Sequence, residues 1–172
     1  MYNASFYPTP PEVAEKMLAK AGKLSGRSIL EPSAGKGDLA DAAVGKLECY
    51  YHTRCRELVH CIEIEPELQA AIRGKGYPLV GTDFLTFWPD EKYDLILMNP
   101  PFANGDAHLL HAWEILDHGD IVCLLNEQAL LNPCTSNRKL LTTIIEEHGE
   151  VEHLGSCFAE DALRKTQVRV SM

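Results

Sequence analysis

The sequence lacks the features of a membrane protein or of a disulfide-rich secreted protein. It contains no run of about 18 apolar residues, so no membrane span is expected. Residues 1–5 include neither the basic nor the apolar region of a secretory signal peptide. The six cysteines are scattered without a C-x-x-C pair, which argues against a zinc site or a disulfide framework and favours a reducing cytoplasm.

Positive charge is also scarce. The formal net charge is −9 at pH 7, and acidic residues outnumber basic ones mainly after residue 60. Proteins that bind nucleic acids draw much of their affinity from cationic patches that displace counterions. A chain of this composition would therefore bind nucleic acid weakly by itself, or through a small local patch.

What is present is an ordinary globular composition, with 45% hydrophobic residues and no repeat, low-complexity tract or linker. Short apolar segments typical of strands covered on both faces alternate with amphipathic segments typical of helices. The predicted strands are residues 28–30, 59–62, 77–80, 93–98 and 120–125, and the predicted helices are 10–21, 36–47, 66–74, 107–118 and 136–148. This alternation predicts a doubly wound α/β sheet with right-handed crossovers.

The ends of the last two helices and the tail complete the predicted architecture. Gly119 and Gly149 stand where a left-handed residue would end each helix. Residues 151–158 and 166–170 have the pattern of two strands without a helix between them. We therefore expect an antiparallel pair at the end of the sheet.

A glycine-containing loop follows the first predicted strand, at residues 30–38. Gly35 and Gly37 allow a tight turn and a close approach of a ligand ahead of a helix. The third glycine of a dinucleotide fingerprint is replaced by Ala40, and the P-loop pattern is absent. The alternative is a turn that needs glycine only for its backbone shape. Glu31 at the strand tip fits a cationic or amine-bearing ligand better than a pyrophosphate.

Acidic residues follow the second and third predicted strands. Glu63 can accept hydrogen bonds from both hydroxyls of a ribose. Glu65 is expected to lie in the cap region of the helix that begins at Pro66, which leaves Glu63 as the ligand candidate. Asp83 could accept from a ligand amino group while Phe84 packs on its ring. The alternatives are solvated or capping acids beside a core phenylalanine.

The fourth predicted strand ends in Asn99, Pro100, Pro101 and Phe102. The two prolines hold the chain extended, and neither can donate an N–H. The Asn99 side-chain oxygen and the Pro100 carbonyl can therefore both point outward as acceptors, which suits an amino group with two hydrogens. Phe102 offers a face on which a planar base can stack. The alternative is a rigid strand exit beside a surface phenylalanine.

Together these motifs resemble those of the adenine-specific amino-methyltransferases of the Rossmann-like (class I) S-adenosylmethionine-dependent family. The resemblance covers nearly the whole chain, from residues 6–10 to residues 99–102, which match the family motif [DNS]-P-P-[YFW]. It implies a seven-stranded, mostly parallel sheet with an antiparallel last strand. The expected domain is a single one over residues 1–172, including an N-terminal helix segment at 1–22.

The resemblance also implies a role for each candidate residue. Phe6 and Thr9 would lie over the methionine moiety of S-adenosylmethionine, with Thr9 near its carboxylate. Glu63 would hold the ribose, and Asp83 the adenine amino group. The implied cofactor-binding set is Phe6, Thr9, Glu31, Pro32, Ser33, Gly35, Gly37, Glu63, Ile64, Asp83, Phe84 and Asn99. The implied catalytic set is Asn99, Pro100, Pro101 and Phe102. No metal is expected, and His108 and His111 are expected to be solvated or packed rather than catalytic.

The implied acceptor is the exocyclic N6 amino group of adenine in DNA. An aromatic amine is a poor and nearly non-acidic nucleophile, so acceptors that neutralise its growing positive charge suit it better than a strong base. Adenine in RNA, a glutamine amide of a protein and a non-catalytic cofactor- or partner-binding domain are the alternatives.

Target recognition is expected to require a further element. Family DNA enzymes with this motif order usually carry their recognition region after the last strand, whereas this sequence ends at Met172. A missing C-terminal region, a partner subunit or a small substrate would each account for this. Residues 162–166 form a small basic turn that could contact phosphate, and a solvated hairpin tip fits them equally.

Overall fold

A five-stranded parallel sheet forms the centre of the computed structural model, which describes residues 7–48, 52–155 and 170–172. Its strands are β1 (Ile29–Glu31), β2 (Val59–Ile62), β3 (Leu79–Gly81), β4 (Tyr93–Met98) and β5 (Leu116–Cys123). They are ordered β3-β2-β1-β4-β5, and each neighbouring pair is parallel. The strand order reverses between β1 and β4, which is where open α/β sheets bind ligands.

Helices cover both faces of this sheet. They are α1 (Pro11–Ala21), α2 (Asp38–Lys46), α3 (His52–Arg56), α4 (Pro66–Lys75), α5 (Gly105–Ile115), α6 (Glu127–Leu131) and α7 (Ser136–His148). In β4, Leu95 and Leu97 belong to the apolar layer that contains α1 and α2, whereas Ile96 and Met98 belong to the layer that contains α5. This alternation follows from the two-residue period of a strand, and it makes the sheet doubly wound as predicted.

The tail forms a second, antiparallel sheet. Its strands are β6 (Leu125–Asn126), β7 (His153–Gly155) and β8 (Val170–Ser171), ordered β6-β8-β7. Both of its pairings are antiparallel, which confirms the predicted antiparallel end. Only Leu124 separates β5 from β6, so the second sheet continues from the edge strand of the first instead of forming the single seven-stranded sheet that was expected.

The left-handed conformation predicted for Gly119 and Gly149 was wrong, as was the end of α5 at Gly119, whereas α7 does end at Gly149. Helix α5 ends at Ile115, and Gly119 lies within β5, where an added Cβ would be 1.6 Å from the carbonyl oxygen of Asp94. Gly119 is thus required by close strand approach and not by a left-handed turn. Gly149 ends α7 in extended backbone, at φ −135° and ψ −176°. The short helices α3 and α6 were also not predicted.

The structure also bears on the expectations for cysteines, membrane spans and metal sites. Cys55 is disulfide-bonded, which departs from the expectation drawn from the scattered cysteines, whereas Cys61, Cys123 and Cys134 are free. Within residues 7–48, 52–155 and 170–172, no helix is long and apolar enough to cross a membrane. The same ranges contain no group of three or more His, Cys, Asp or Glu side chains that could hold a metal ion.

Candidate active site

A cavity of about 410 Å³ lies where the carboxyl ends of the parallel strands meet the segment that precedes α1. Its volume falls within the range of about 300–1,000 Å³ that is usual for small-molecule sites. The predicted residues that line it are Thr9, Glu31, Pro32, Ser33, Glu63, Ile64, Asp83, Phe84, Asn99, Pro100, Pro101 and Phe102. Phe6 lies outside the described residues. The sheet therefore brings together side chains that are far apart in sequence.

Glu31 is the most unusual group in this cavity. Its side chain is buried at the end of β1, and its Oε2 atom has no hydrogen-bond partner among the described residues. Burial raises the pKa of this carboxyl well above its usual value, and the neighbouring carboxylates of Asp38, Asp41 and Glu63 raise it further. A hydrogen bond from the backbone N–H of Ala40 opposes this shift but leaves Oε2 unpartnered. A buried carboxylate oxygen without a partner is costly, and a cationic ligand group would compensate it. This is the chemistry that the ammonium of an amino acid offers.

Glu63 is held by the backbone of its own loops. Its Oε2 accepts from the N–H of Gly35 at 2.7 Å, and its Oε1 accepts from the N–H of Glu65 at 2.8 Å. Burial raises the pKa of Glu63, although these backbone bonds oppose the shift. The N–H of Ile64 is a third backbone donor to this carboxylate. A carboxylate has about four acceptor positions, so Glu63 still has capacity for a ligand hydroxyl.

The two loop glycines shape the site without lining the cavity. Gly35 and Gly37 both have positive φ, of 56° and 81°. The N–H of Gly35 is directed at Glu63, and that of Gly37 donates to the carbonyl of Ala34 at 2.7 Å. A Cβ on Gly37 would lie 3.0 Å from the side chain of Ile72. These glycines therefore allow the turn that presents Glu31, Pro32 and Ser33 to the cavity.

Two apolar residues, Ile64 and Leu85, form an apolar slot in the same cavity. Ile64 is 61% exposed and Leu85 is 39% exposed, although both are apolar, and both line the cavity. Phe84 is buried behind them. Asp83 caps the 3-10 turn Phe84–Thr86, because its Oδ1 accepts from the N–H of Leu85 at 3.0 Å. The slot suits a planar apolar ring with a polar edge near the second oxygen of Asp83.

Asn99 lines the same cavity and directly follows β4, the strand next to β1. Its Nδ2 donates to the carbonyl of Tyr7 at 3.0 Å and to Oγ1 of Thr9 at 3.1 Å. Since a carbonyl can only accept, the contact with Tyr7 assigns the orientation of the amide. Oδ1 is then the remaining polar atom of the side chain and can act as an acceptor. Pro100 follows without an N–H of its own.

Phe102 forms an aromatic wall beside Asn99. Its ring lies 5.4 Å from that of Tyr7, measured between centroids, with 30° between the planes. Both residues line the cavity. A flat ligand that approaches Asn99 would therefore meet an aromatic surface.

Of the cavity residues that were not assigned a site role from the sequence, Tyr7 and His108 make the contacts that bear on the site. Tyr7 stands within the N-terminal motif, but its carbonyl contact with Asn99 depends on tertiary structure. His108 lines the cavity, and its Nδ1 lies 2.9 Å from the carbonyl of Asn104, which can only accept. Nδ1 therefore carries the hydrogen, and Nε2 is the acceptor. Burial lowers the pKa of His108. In the sequence, the only indication of a site role for His108 was its position in the first turns of the helix that follows Asn99–Phe102.

The fold and this cavity together define a Rossmann-like domain with a small-molecule site at the switch point of its sheet. The acidic residues of the site suit a polar ligand bearing an ammonium, hydroxyls and a ring. The same site presents an oriented amide oxygen beside an aromatic surface.

Comparison with known proteins agrees with this class. No protein-family model matches the chain. The type II methyltransferase M.CvrRI of Paramecium bursaria Chlorella virus XZ-6E is 26% identical over 118 residues, which are 67% of this chain and 29% of that enzyme. The chain therefore spans less than a third of that relative.

Two solved structures resemble the chain over nearly all of its length. A proposed RNA methyltransferase from Pyrococcus horikoshii matches 96% of this chain and 83% of its own chain, with 21% identity and a TM-score of 0.64. The modification subunit of a proposed type I restriction enzyme from Vibrio vulnificus YJ016 matches 98% of this chain and 44% of its own chain, with 15% identity and a TM-score of 0.69. The shared fold is that of class I methyltransferases, which confirms the predicted fold class.

Proposed function

We propose that this chain is an S-adenosylmethionine-dependent methyltransferase domain that methylates the exocyclic N6 amino group of adenine in DNA. The observation that carries the proposal is the pairing of two features in one cavity. Glu31 is a buried carboxyl group with one unpartnered oxygen at the end of β1, and Asn99 presents an oriented amide oxygen just after the neighbouring strand β4. The first suits the cofactor and the second suits an amine acceptor.

The acidic residues of the cavity fit S-adenosylmethionine group by group. Glu31 would compensate the ammonium of the methionine moiety. Glu63 would accept from a ribose hydroxyl with the acceptor capacity that its backbone contacts leave. Ile64 would pack on the adenine ring, whose amino group lies toward Asp83. The cofactor, when bound, supplies a methyl group activated by a positively charged sulfur.

The residues at the end of β4 fit an aromatic amine. Such an amine acquires positive charge as it attacks, and it becomes acidic only then. Oδ1 of Asn99 and the carbonyl of Pro100 would accept its two hydrogens and stabilise the developing charge, so that no strong base is needed. Phe102 would hold the base by stacking, which fixes the direction of attack.

DNA is favoured as the polymer by two of the similar proteins. One is named a type II methyltransferase, and the other is a modification subunit of a restriction enzyme. This chain spans 29% and 44% of those proteins, so target recognition in our proposal comes from a partner subunit or from a further C-terminal region. We also propose a cytoplasmic location, where both DNA and cofactor are available.

RNA is the second candidate, and a specific observation favours it. The Pyrococcus horikoshii structure is named for RNA methylation, and this chain covers 83% of it. A protein only slightly longer than this chain is therefore named an RNA methyltransferase, and it has little room for an additional recognition domain. A small RNA substrate would also require fewer cationic contacts than duplex DNA.

The test is methyl transfer from labelled S-adenosylmethionine to unmethylated DNA, to total RNA and to a protein extract. Products are digested and separated to identify the modified residue. We expect N6-methyladenine in the DNA digest, and roughly 30- to 900-fold slower labelling when Asn99→Ala replaces the parent chain. Label in RNA alone would favour the second candidate. Label in protein alone, or on another atom of the base, would contradict the proposal.

A further inference from the structure

We infer that Thr9, together with the backbone of Tyr7, positions Asn99 by fixing the orientation of its side-chain amide. The inference rests on the proposed function, because it assumes that Asn99 accepts a hydrogen bond from the amine that is methylated. It gives Thr9 a role beyond the cofactor contact that the family resemblance implies. Thr9 would act through Asn99 on the methyl-transfer step.

The contacts occupy both hydrogens of one amide nitrogen. Nδ2 of Asn99 donates to the carbonyl of Tyr7 at 3.0 Å and to the hydroxyl oxygen of Thr9 at 3.1 Å. Rotating the amide by 180° would place Oδ1 against the Tyr7 carbonyl, so two acceptors would face each other without a hydrogen. The orientation with Oδ1 away from residues 7–9 is therefore strongly preferred.

The two partners have different chemistry, and this matters for the test. The Tyr7 carbonyl can only accept, so it sets the sense of the amide. The Thr9 hydroxyl can accept from Asn99 and still donate its own hydrogen elsewhere. Thr9 is 9% exposed, so water cannot easily replace its oxygen. Removing that oxygen would leave one Nδ2 hydrogen without a partner and weaken the restraint.

The segment that supplies these partners is itself fixed. Helix α1 begins at Pro11, and the carbonyl of Pro10 accepts from the N–H groups of Val13 and Ala14 at 3.0 and 2.9 Å. Val13, Ala14, Met17, Leu18 and Ala21 bury one face of the helix in the core. Since α1 anchors residues 7–10, Thr9 holds Asn99 from a rigid support. The same segment places the Tyr7 ring against Phe102, so it contacts both parts of the proposed amine site.

The first measurement is steady-state methylation by Thr9→Val, Thr9→Ser and Asn99→Ala in the full chain. Thr9→Val keeps the shape of the side chain but removes the acceptor, and we expect kcat to fall by roughly 5- to 100-fold. Thr9→Ser restores the hydroxyl and should recover kcat to within about threefold. Because the family resemblance also implies a cofactor contact for Thr9, the Kd for S-adenosylhomocysteine is measured by calorimetry, and in Thr9→Val it should rise by a smaller factor than kcat falls. In the Asn99→Ala background, Thr9→Val should cause no further loss.

The second measurement does not depend on activity. In nitrogen-15 spectra, the side-chain amide of Asn99 is identified by its loss in Asn99→Ala. We expect its resonances to shift and its hydrogens to exchange faster in Thr9→Val, and to stay near the parent values in Thr9→Ser. Unchanged Asn99 signals in Thr9→Val would overturn the inference, as would a loss of cofactor affinity equal to the loss in kcat. If the parent transfers no methyl group, the proposed function fails, and the spectra still decide the positioning of Asn99.

Discussion

Glu31 and Glu63 occupy equivalent places at the ends of neighbouring strands, yet their surroundings differ in a way that affects stability. Burial raises the pKa of both carboxyls. Both oxygens of Glu63 accept a backbone N–H, whereas Oε2 of Glu31 has no partner among the described residues. Glu63 is therefore part of the loop structure. Glu31 carries a cost in the ligand-free protein that a cationic ligand would remove.

We expect Glu31→Gln to stabilise the ligand-free protein at neutral and higher pH while weakening cofactor binding. A carboxyl with a raised pKa in the folded state stabilises fully below its unfolded pKa of about 4.5, and that contribution is lost as pH rises through the folded value. Glutamine does not ionise, so the variant does not lose this stability as pH rises. Its unfolding free energy should equal that of the parent at pH 4.5 and exceed it by about 1–3 kcal/mol above the folded pKa of Glu31. Urea unfolding over a pH series measures this, and calorimetry with S-adenosylhomocysteine measures affinity.

The matched control for this prediction is Glu63→Gln, the same substitution in a neighbouring loop. A glutamine there can accept only one of the two backbone hydrogen bonds, and its NH2 group would face the other N–H donor. We expect this variant to lose about 1–3 kcal/mol of unfolding free energy at neutral pH. If Glu31→Gln destabilises the protein to the same extent, Oε2 of Glu31 accepts a hydrogen bond in the folded protein, and the prediction is wrong.

Asn99 allows a second prediction at the scale of one residue. Asn99→Ala should reduce kcat by an amount equivalent to about 2–4 kcal/mol of transition-state stabilisation, because one acceptor for the amine is lost. Cofactor affinity should remain nearly unchanged, since Glu31 and Glu63 make the proposed contacts with the ammonium and the ribose. Steady-state kinetics and calorimetry on the same preparation separate the two effects. An equal loss of affinity would assign Asn99 to cofactor binding.

At the scale of the element, sequence patterns located the segments better than their ends. The predicted bounds of β2, β4 and α7 agree with the structure, because periodicity and caps both act locally there. The end of α5 was missed because β5 begins at Leu116, where pairing with Tyr93 outweighs the helical pattern. The motifs predicted that the acidic residues and the Asn-Pro-Pro-Phe residues would meet at one edge of the sheet, and they line one cavity, whereas Gly35 and Gly37 shape the loop without lining it. The Tyr7 and His108 contacts were not, because they depend on packing between distant segments.

The close approach of β5 to β4 gives a prediction for Gly119. An added Cβ would lie 1.6 Å from the backbone oxygen of Asp94, and backbone cannot move aside as a flexible side chain can. We expect Gly119→Ala to lower the unfolding free energy by about 3 kcal/mol or more. The control is Gly45→Ala within α2, where nothing lies within 4 Å and the change should stabilise by about 0.5–1 kcal/mol. Urea midpoints followed by circular dichroism compare them, and equal midpoints would show that β4 and β5 are less closely spaced.

For the whole molecule, charge is the property that bears on nucleic-acid binding. The net charge is −9. Several cations within the described ranges are also within ion-pair distance of carboxylates: Lys20, Arg27, Lys46, Lys75 and Arg138. These side chains would have to exchange a carboxylate for a phosphate, which reduces the gain from counterion release. The cofactor site lacks this problem, because its carboxylates suit the positive and hydrogen-donating groups of the cofactor.

We therefore expect the chain alone to bind cofactor well and duplex DNA weakly. Its Kd for an unmethylated duplex at physiological salt should be about 10⁻⁴ M or weaker, at the low end of non-specific binding, and its salt dependence should be shallow because few phosphates are neutralised. Fluorescence anisotropy with a labelled duplex at several salt concentrations measures both quantities. Calorimetry with S-adenosylhomocysteine on the same sample shows that the domain is folded and competent. Submicromolar duplex binding with a steep salt dependence would mean that this chain carries its own recognition surface, and no partner subunit or further region would then be needed to account for DNA as the acceptor.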